Sequence, residues 1–144
     1  MNLNEVAYVP AAQVSPTNTV REAVAAAMPA SCDAVAVVED GKITGIVTSR
    51  DILLKVVLQR LDSESTLVSQ VMTSPVVTLH PNTHPEEALR IMLEKNIRHL
   101  LLSEDGRRPC GMLSLRRLLN FIVKEQRDDL EHVASFLMVD GPGG

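Results

Sequence analysis

The sequence predicts an α+β fold in which two β-α-β-β-α repeats pack with pseudo-twofold symmetry, followed by a C-terminal helical extension. The first observation behind this is an internal repeat. A shift of 65 residues lays Val6–Gly41 on Val71–Gly106 without a gap. Pro10 then falls on Pro75, Pro16 on Pro81, Glu22-Ala23 on Glu87-Ala88, and Glu39-Asp40-Gly41 on Glu104-Asp105-Gly106. One further residue in the second turn makes the shift 66, so that Gly45 meets Gly111 and Arg50 meets Arg116. The second observation is a pair of helix starts at matching places, Thr19-Val-Arg-Glu22 and His84-Pro-Glu-Glu87. The third is an Asp-Gly turn between two apolar runs in each copy. Two copies are too few for a solenoid, so each half must bury its apolar face against the other.

The elements follow in order. A short extended piece precedes a proline in each copy, around Ala12–Val14 and Val76–Leu79. The first helix places Val20, Ala23, Val24 and Ala27 on one face and stops before Pro29. Its counterpart carries Ala88, Ile91 and Met92 and ends near Asn96. An apolar strand follows (Ala34–Val38, Leu100–Leu102), then the Asp-Gly turn and a second strand (Ile43–Val47, Gly111–Leu113). That strand runs directly into a helix beginning at Thr48 or Ser114. Asp62–Thr73 reads as a polar linker with one apolar face. Leu115, Leu119, Ile122, Leu130, Val133 and Leu137 form an apolar stripe on a long last helix, and Gly141–Gly144 reads as a frayed end. The organisation is therefore residues 1–64 for the first motif, 65–124 for linker and second motif, and 125–144 for the C-terminal helix and tail.

Composition narrows the function. With 14 Lys+Arg against 18 Asp+Glu the chain carries −4, which disfavours nucleic acid as a partner. Tyr8, Phe121 and Phe136 are the only aromatics, too scattered for a base-stacking platform. The longest apolar run, Ala23–Ala30, is far short of a membrane span, and the first residues lack the pattern of a signal peptide. A cytoplasmic location without membrane contact is the expectation. Cys32 and Cys110 sit among apolar neighbours and read as core residues. His80 and His84 are each followed by proline, which prevents a shared helical face, so no metal site is expected. One local departure stands out. Between Arg90 and Arg117 seven cations face three anions, a net of +4, enough to attract a small anion.

The junction Gly45-Ile-Val-Thr48-Ser-Arg-Asp51 is the first candidate site. A helix start offers free N–H groups to a phosphate, Thr48 adds a hydroxyl, and Asp51 a carboxylate able to accept from two neighbouring hydroxyls, as on a ribose. Capping alone would also select Thr48 and Asp51. The second copy reads Gly111-Met-Leu-Ser114-Leu-Arg-Arg117, with a cation where the first has Asp51. A cation in a first turn opposes the helix dipole by about 0.3–1 kcal/mol, a cost that a nearby anion could offset.

With these junctions, the Asp-Gly hairpins, the Pro-x-x-x-x-x-Glu-Ala helix entries and the Val-Met-Thr-Ser-Pro-Val-Val-Thr-Leu linker, residues Val6–Lys124 resemble a tandem pair of cystathionine-β-synthase-type (CBS) motifs, a Bateman module. The resemblance implies two clefts between the motifs that bind adenosine nucleotides (AMP, ADP or ATP), with Thr48 and Asp51 on phosphate and ribose. It further implies Arg98, His99 and Arg116 as basic residues from the facing motif, and Ala11, Ala12, Gln13, Ile46 and Val47 beside the adenine. No catalytic residue, catalytic cofactor or enzyme activity is implied. The expected role is that of a regulatory, signal-transducing homodimer that passes nucleotide state to an unidentified effector protein. The alternative is a ligand-free dimerisation scaffold. A further expectation concerns the second cleft, which would combine Ser114 and Arg117 with Asp33, Ala34 and Arg50, so that Asp33 would repel a phosphate there.

Overall fold

The computed structural model describes residues 2–139, so the Gly141–Gly144 tail lies outside the described residues. Each repeat builds one three-stranded sheet. In the first, β1 (Gln13–Val14) runs parallel to β2 (Ala34–Glu39), which pairs antiparallel with β3 (Lys42–Thr48). In the second, β4 (Thr78–Leu79), β5 (His99–Leu102) and β6 (Gly111–Ser114) repeat that order. A parallel pair needs a crossover, and the helices α1 (Val20–Ala27) and α4 (Pro85–Lys95) supply it. Thr19 and Glu22 close a complete capping box on α1. His84 caps α4 by accepting from the Glu86 N–H, with Pro85 at the first helical position and no reciprocal bond from Glu87. Asn96 ends α4 in the left-handed region.

The two hairpins differ. Asp40 and Gly41 have φ of 53° and 77°, the pair of left-handed residues that a two-residue turn between twisted strands requires. The second loop is longer, and the Asp105 carboxylate organises it by accepting from Arg107 N, Arg108 N and the Ser103 hydroxyl. Chiefly those backbone bonds hold the Asp105 pKa down, to about 2.

The linker corrects the sequence reading. Part of it folds as α3 (Val68–Val71), whose Val68 and Val71 are buried. Val68 lies 65 residues after Leu3, which is equally buried in a 3₁₀ turn, Leu3–Glu5. Each repeat therefore opens with a helical turn that the side-chain match, starting at Val6, does not reach. That turn already packs on the other repeat, Leu3 with Ala88 and Met92 and Val68 with Val35 and Val37, and the chain goes on to pair with that repeat's junction strand. Tyr8 exchanges both backbone hydrogen bonds with Met112 of β6, at 2.9 Å each, and Thr73 does the same with Ile46 of β3, at 2.8 and 3.0 Å. The junction-strand glycines make room for this crossing. A Cβ on Gly45 would lie 2.5 Å from the Met72 sulfur, and one on Gly111 would lie 3.0 Å from the Asn4 amide oxygen.

The sheets share one core. Ala11, Ala34, Ala36 and Ile46 of the first repeat pack with Leu101 and Met112 of the second, all buried. Small residues on one side accept large ones from the other. Behind each sheet a further cluster closes with the help of the other repeat's opening turn, around Val35 and Val37 with Val68 behind the first sheet and around Leu100, Leu113 and Leu118 with Leu3 behind the second.

The helices after the junctions also differ. Thr48 caps α2 (Ser49–Asp51), which continues as a π-wound segment, Ile52–Val57. α5 (Leu115–Val139) is α-helical throughout. Leu115 and Ile122 of its stripe pack on the core, whereas Leu130, Val133 and Leu137 stay exposed. No helix among the described residues is long and apolar enough to cross a membrane.

Candidate ligand sites at the two junctions

Asp51 is the centre of the first junction. Its carboxylate is almost wholly buried, at 8% exposure of the side chain. Oδ2 accepts from Thr48 N at 2.9 Å and from the Thr48 hydroxyl at 3.2 Å. The Thr48 hydroxyl in turn accepts from Asp51 N at 3.4 Å, which completes a capping box. Capping is therefore one established task of these two residues. Oδ1 has a different role, because it accepts from the Thr73 hydroxyl at 2.8 Å and pairs with Lys55 Nζ at 3.0 Å. Lys55 also donates to the Val71 carbonyl at 3.0 Å and to the Thr73 hydroxyl at 3.4 Å. The carboxylate thus ties helix α2 to the segment that crosses over from the linker. Thr73 and Lys55 are absent from the sequence-level site. Lys55 was legible as an i,i+4 partner of Asp51, but Thr73 becomes a neighbour only through the chain crossing.

The second junction replaces this set as a unit. Under the repeat shifts, Asp51 becomes Arg117, Lys55 becomes Phe121, and Thr73 corresponds to Tyr8. The Ser114 hydroxyl keeps the cap by accepting from Arg117 N at 3.1 Å. The Arg117 guanidinium lies 3.5 Å from the centre of the Tyr8 ring and donates to the Ala7 carbonyl at 3.2 Å. A carboxylate that gathers donors has become a cation stacked on an aromatic face. Arg117 and Tyr8 line a cavity of about 660 Å³ whose walls include Ala11, Ala12, Ala26 and Ala30.

Several expected site residues fall elsewhere. Ala11 and Ala12 line the Arg117 cavity, and they also pack with the junction strand, Ala11 in the cluster of Ile46 and Ala12 against that of Val47. Gln13 is exposed on β1, while Ile46 and Val47 are buried in β3 beside Thr48. Arg98 and Arg116 are exposed at the helix-proximal end of the second sheet, where the Arg98 carbonyl accepts from Leu115 N. His99 is half-buried, and that burial pushes its imidazole pKa down against the opposing field of Asp33. Asp33 is the counterpart of Arg98 in the other repeat, so His99 meets the first motif beside Asp33. Asp33 itself lines a separate groove of about 540 Å³ with Thr48, Ser49, Met28 and Leu53, and not the Arg117 cavity.

A two-sheet fold with reciprocal strand crossing and paired junctions defines a tandem motif module. Comparison with known proteins gives its family. The model of the CBS domain matches residues 5–58 and 68–124, and the chain belongs to the CBS-domain family as a tandem pair. Among relatives, the mitochondrial CBS domain-containing protein CBSX3 of Arabidopsis thaliana is 30% identical over 125 residues, 83% of this chain and 60% of that protein. The CBS domain-containing protein YhcV of Bacillus subtilis is 38% identical over 89 residues, 62% of this chain and 63% of its own length. The chain thus spans under two thirds of the length of these curated relatives. A protein with CBS domains from Burkholderia ambifaria has 32% identity and a TM-score of 0.73, covering 79% of this chain and 83% of that one. The CBS domain protein PAE2072 from Pyrobaculum aerophilum, complexed with AMP, shares the fold at a TM-score of 0.71 and 24% identity, covering 81% and 89%.

Proposed function

We propose that this chain is a regulatory module that binds an adenosine nucleotide at the Thr48/Asp51 junction and passes its occupancy to a partner. The observation that carries the reading is the Asp51 carboxylate, a buried acceptor whose Oδ1 faces away from the cap toward side-chain donors. Two vicinal hydroxyls are the donors such an oxygen suits, and the helix start beside it favours phosphate. Arg98 and Arg116 add positive charge on the facing motif, His99 beside them adds a ring nitrogen, and Ile46 and Val47 an apolar wall. The Arg117 junction has no carboxylate to take two ribose hydroxyls, since its guanidinium and the Tyr8 ring take the equivalent places. One nucleotide per chain is expected, with affinity falling as salt rises. Calorimetric titration with AMP, ADP and ATP checks this, and two equivalent nucleotides per chain would overturn the assignment to the Asp51 side.

Self-association is part of the reading. Val24, Met28, Leu53 and Val57 expose 46–70% of their surface on the first repeat's helices, and Leu93, Leu119 and Val123 match on the second. The pseudo-twofold duplicates one apolar face, which an isologous homodimer would cover. In light scattering the unmutated chain is expected at the dimer mass and the Met28→Asp/Leu53→Asp variant at the monomer mass. A dimer in both would place the interface elsewhere.

A further inference from the structure

Three hydrogen bonds and one ion pair crowd the Asp51 carboxylate. Oδ2 accepts twice from Thr48, Oδ1 accepts from the Thr73 hydroxyl, and the Lys55 ammonium stands 3.0 Å from Oδ1. With about four acceptor directions on a carboxylate, a diol bringing two donors must displace a group already there. The donors are not equally replaceable. Thr48 N is backbone, and its hydroxyl is held in the cap. Thr73 is fixed through both its backbone groups to Ile46. The Lys55 ammonium sits at the end of a flexible four-carbon stem, on a side chain that is 43% exposed. It stands on the π-wound segment that the second repeat lacks, where Phe121 occupies its place.

We propose that Lys55 is the specificity-determining residue of this site: its ammonium holds the place on Asp51 Oδ1 that a ribose hydroxyl takes, and ligand entry requires it to swing away. This rests on the nucleotide reading above. The released ammonium is long enough to meet a phosphate, which offsets the loss of the Asp51 pair, whereas a nucleoside without phosphate gives it no new partner. Lys55 therefore selects phosphorylated ligands over adenosine. It also joins occupancy to the linker, since the same ammonium holds the Val71 carbonyl and the Thr73 hydroxyl.

The test is calorimetric titration of the unmutated chain, Lys55→Met, Lys55→Arg and Asp51→Ala with adenosine and with AMP. Lys55→Met is expected to bind adenosine about two- to fivefold more tightly than the unmutated chain, the size of a partly exposed ion pair. It is expected to bind AMP no more tightly, so the preference for AMP over adenosine narrows. Lys55→Arg, which keeps the charge, is expected to retain the preference and shows that a change in Lys55→Met is not misfolding. An unchanged preference in Lys55→Met, with binding lost in Asp51→Ala, overturns the role of Lys55 and leaves the nucleotide reading standing. Binding of neither ligand to the unmutated chain or to Lys55→Met overturns the reading and the proposal together.

Discussion

Leu101→Ala is expected to lower the unfolding free energy by about 2–5 kcal/mol, the cost of a leucine removed from a well-packed core. Leu101 is fully buried in the cluster where the sheets meet, against Ala34, Ala36 and Ile46 of the other repeat. Those neighbours cannot collapse into the space. Ala36 and Ile46 sit in paired strands, and Ile46 is further held by the crossing Thr73. The loss therefore approaches the sum of transfer and cavity terms. Because the cluster draws side chains from both repeats, the halves should unfold together, with a lower denaturant midpoint and an unchanged slope. Two separate transitions, or a change below about 1 kcal/mol, would contradict a shared core.

Asp51→Ala is expected to have the largest effect on binding and a stability cost beyond that of an ordinary cap. Removing the carboxylate strips the partner from Thr48 N, from the Thr73 hydroxyl and from Lys55 at once. Thr73 is exposed and Thr48 and Lys55 are half-buried, so each lost hydrogen bond costs about 0.5–1.5 kcal/mol and water takes over part of the pairing. A net loss of about 2–3 kcal/mol is expected, against about 1 kcal/mol for loss of a helix cap. Nucleotide affinity is expected to fall by about 1.5–3 kcal/mol, the range for a hydrogen bond to a charged group. Asp51→Asn keeps the shape and one acceptor oxygen, so it should recover most of the stability and little of the affinity. Thermal melts and calorimetry on both variants separate these effects. A variant that melts early but binds normally would leave Asp51 a cap and nothing more.

Much of the fold was present in the chain itself. The repeat register, the Thr19–Glu22 capping box, the Asp40-Gly41 turn and the strand-to-helix junctions are local features, set by backbone conformation and by hydrogen bonds within four residues. Such rules act within the sequence window that shows them. The α+β class with two sheets followed directly. Thr48 and Asp51 were legible for the same reason, since their capping geometry spans three residues.

What joins the repeats was decided only in three dimensions. Nothing near Thr73 in sequence says that it will pair with Ile46, or that Tyr8 will pair with Met112. Those contacts depend on which sheet edge the chain reaches after crossing, and on glycines at 45 and 111 that let it approach. For this reason Ala11 both lines the Arg117 cavity and packs with Ile46 of the junction strand. Phe121 for Lys55 and Tyr8 for Thr73 are unremarkable exchanges in a sequence alignment. Only packing turns them into two sites of opposite charge, because the crossing brings residues 22 positions apart around Asp51 and residues more than a hundred apart around Arg117. Local chemistry fixed each junction, and chain crossing chose its neighbours.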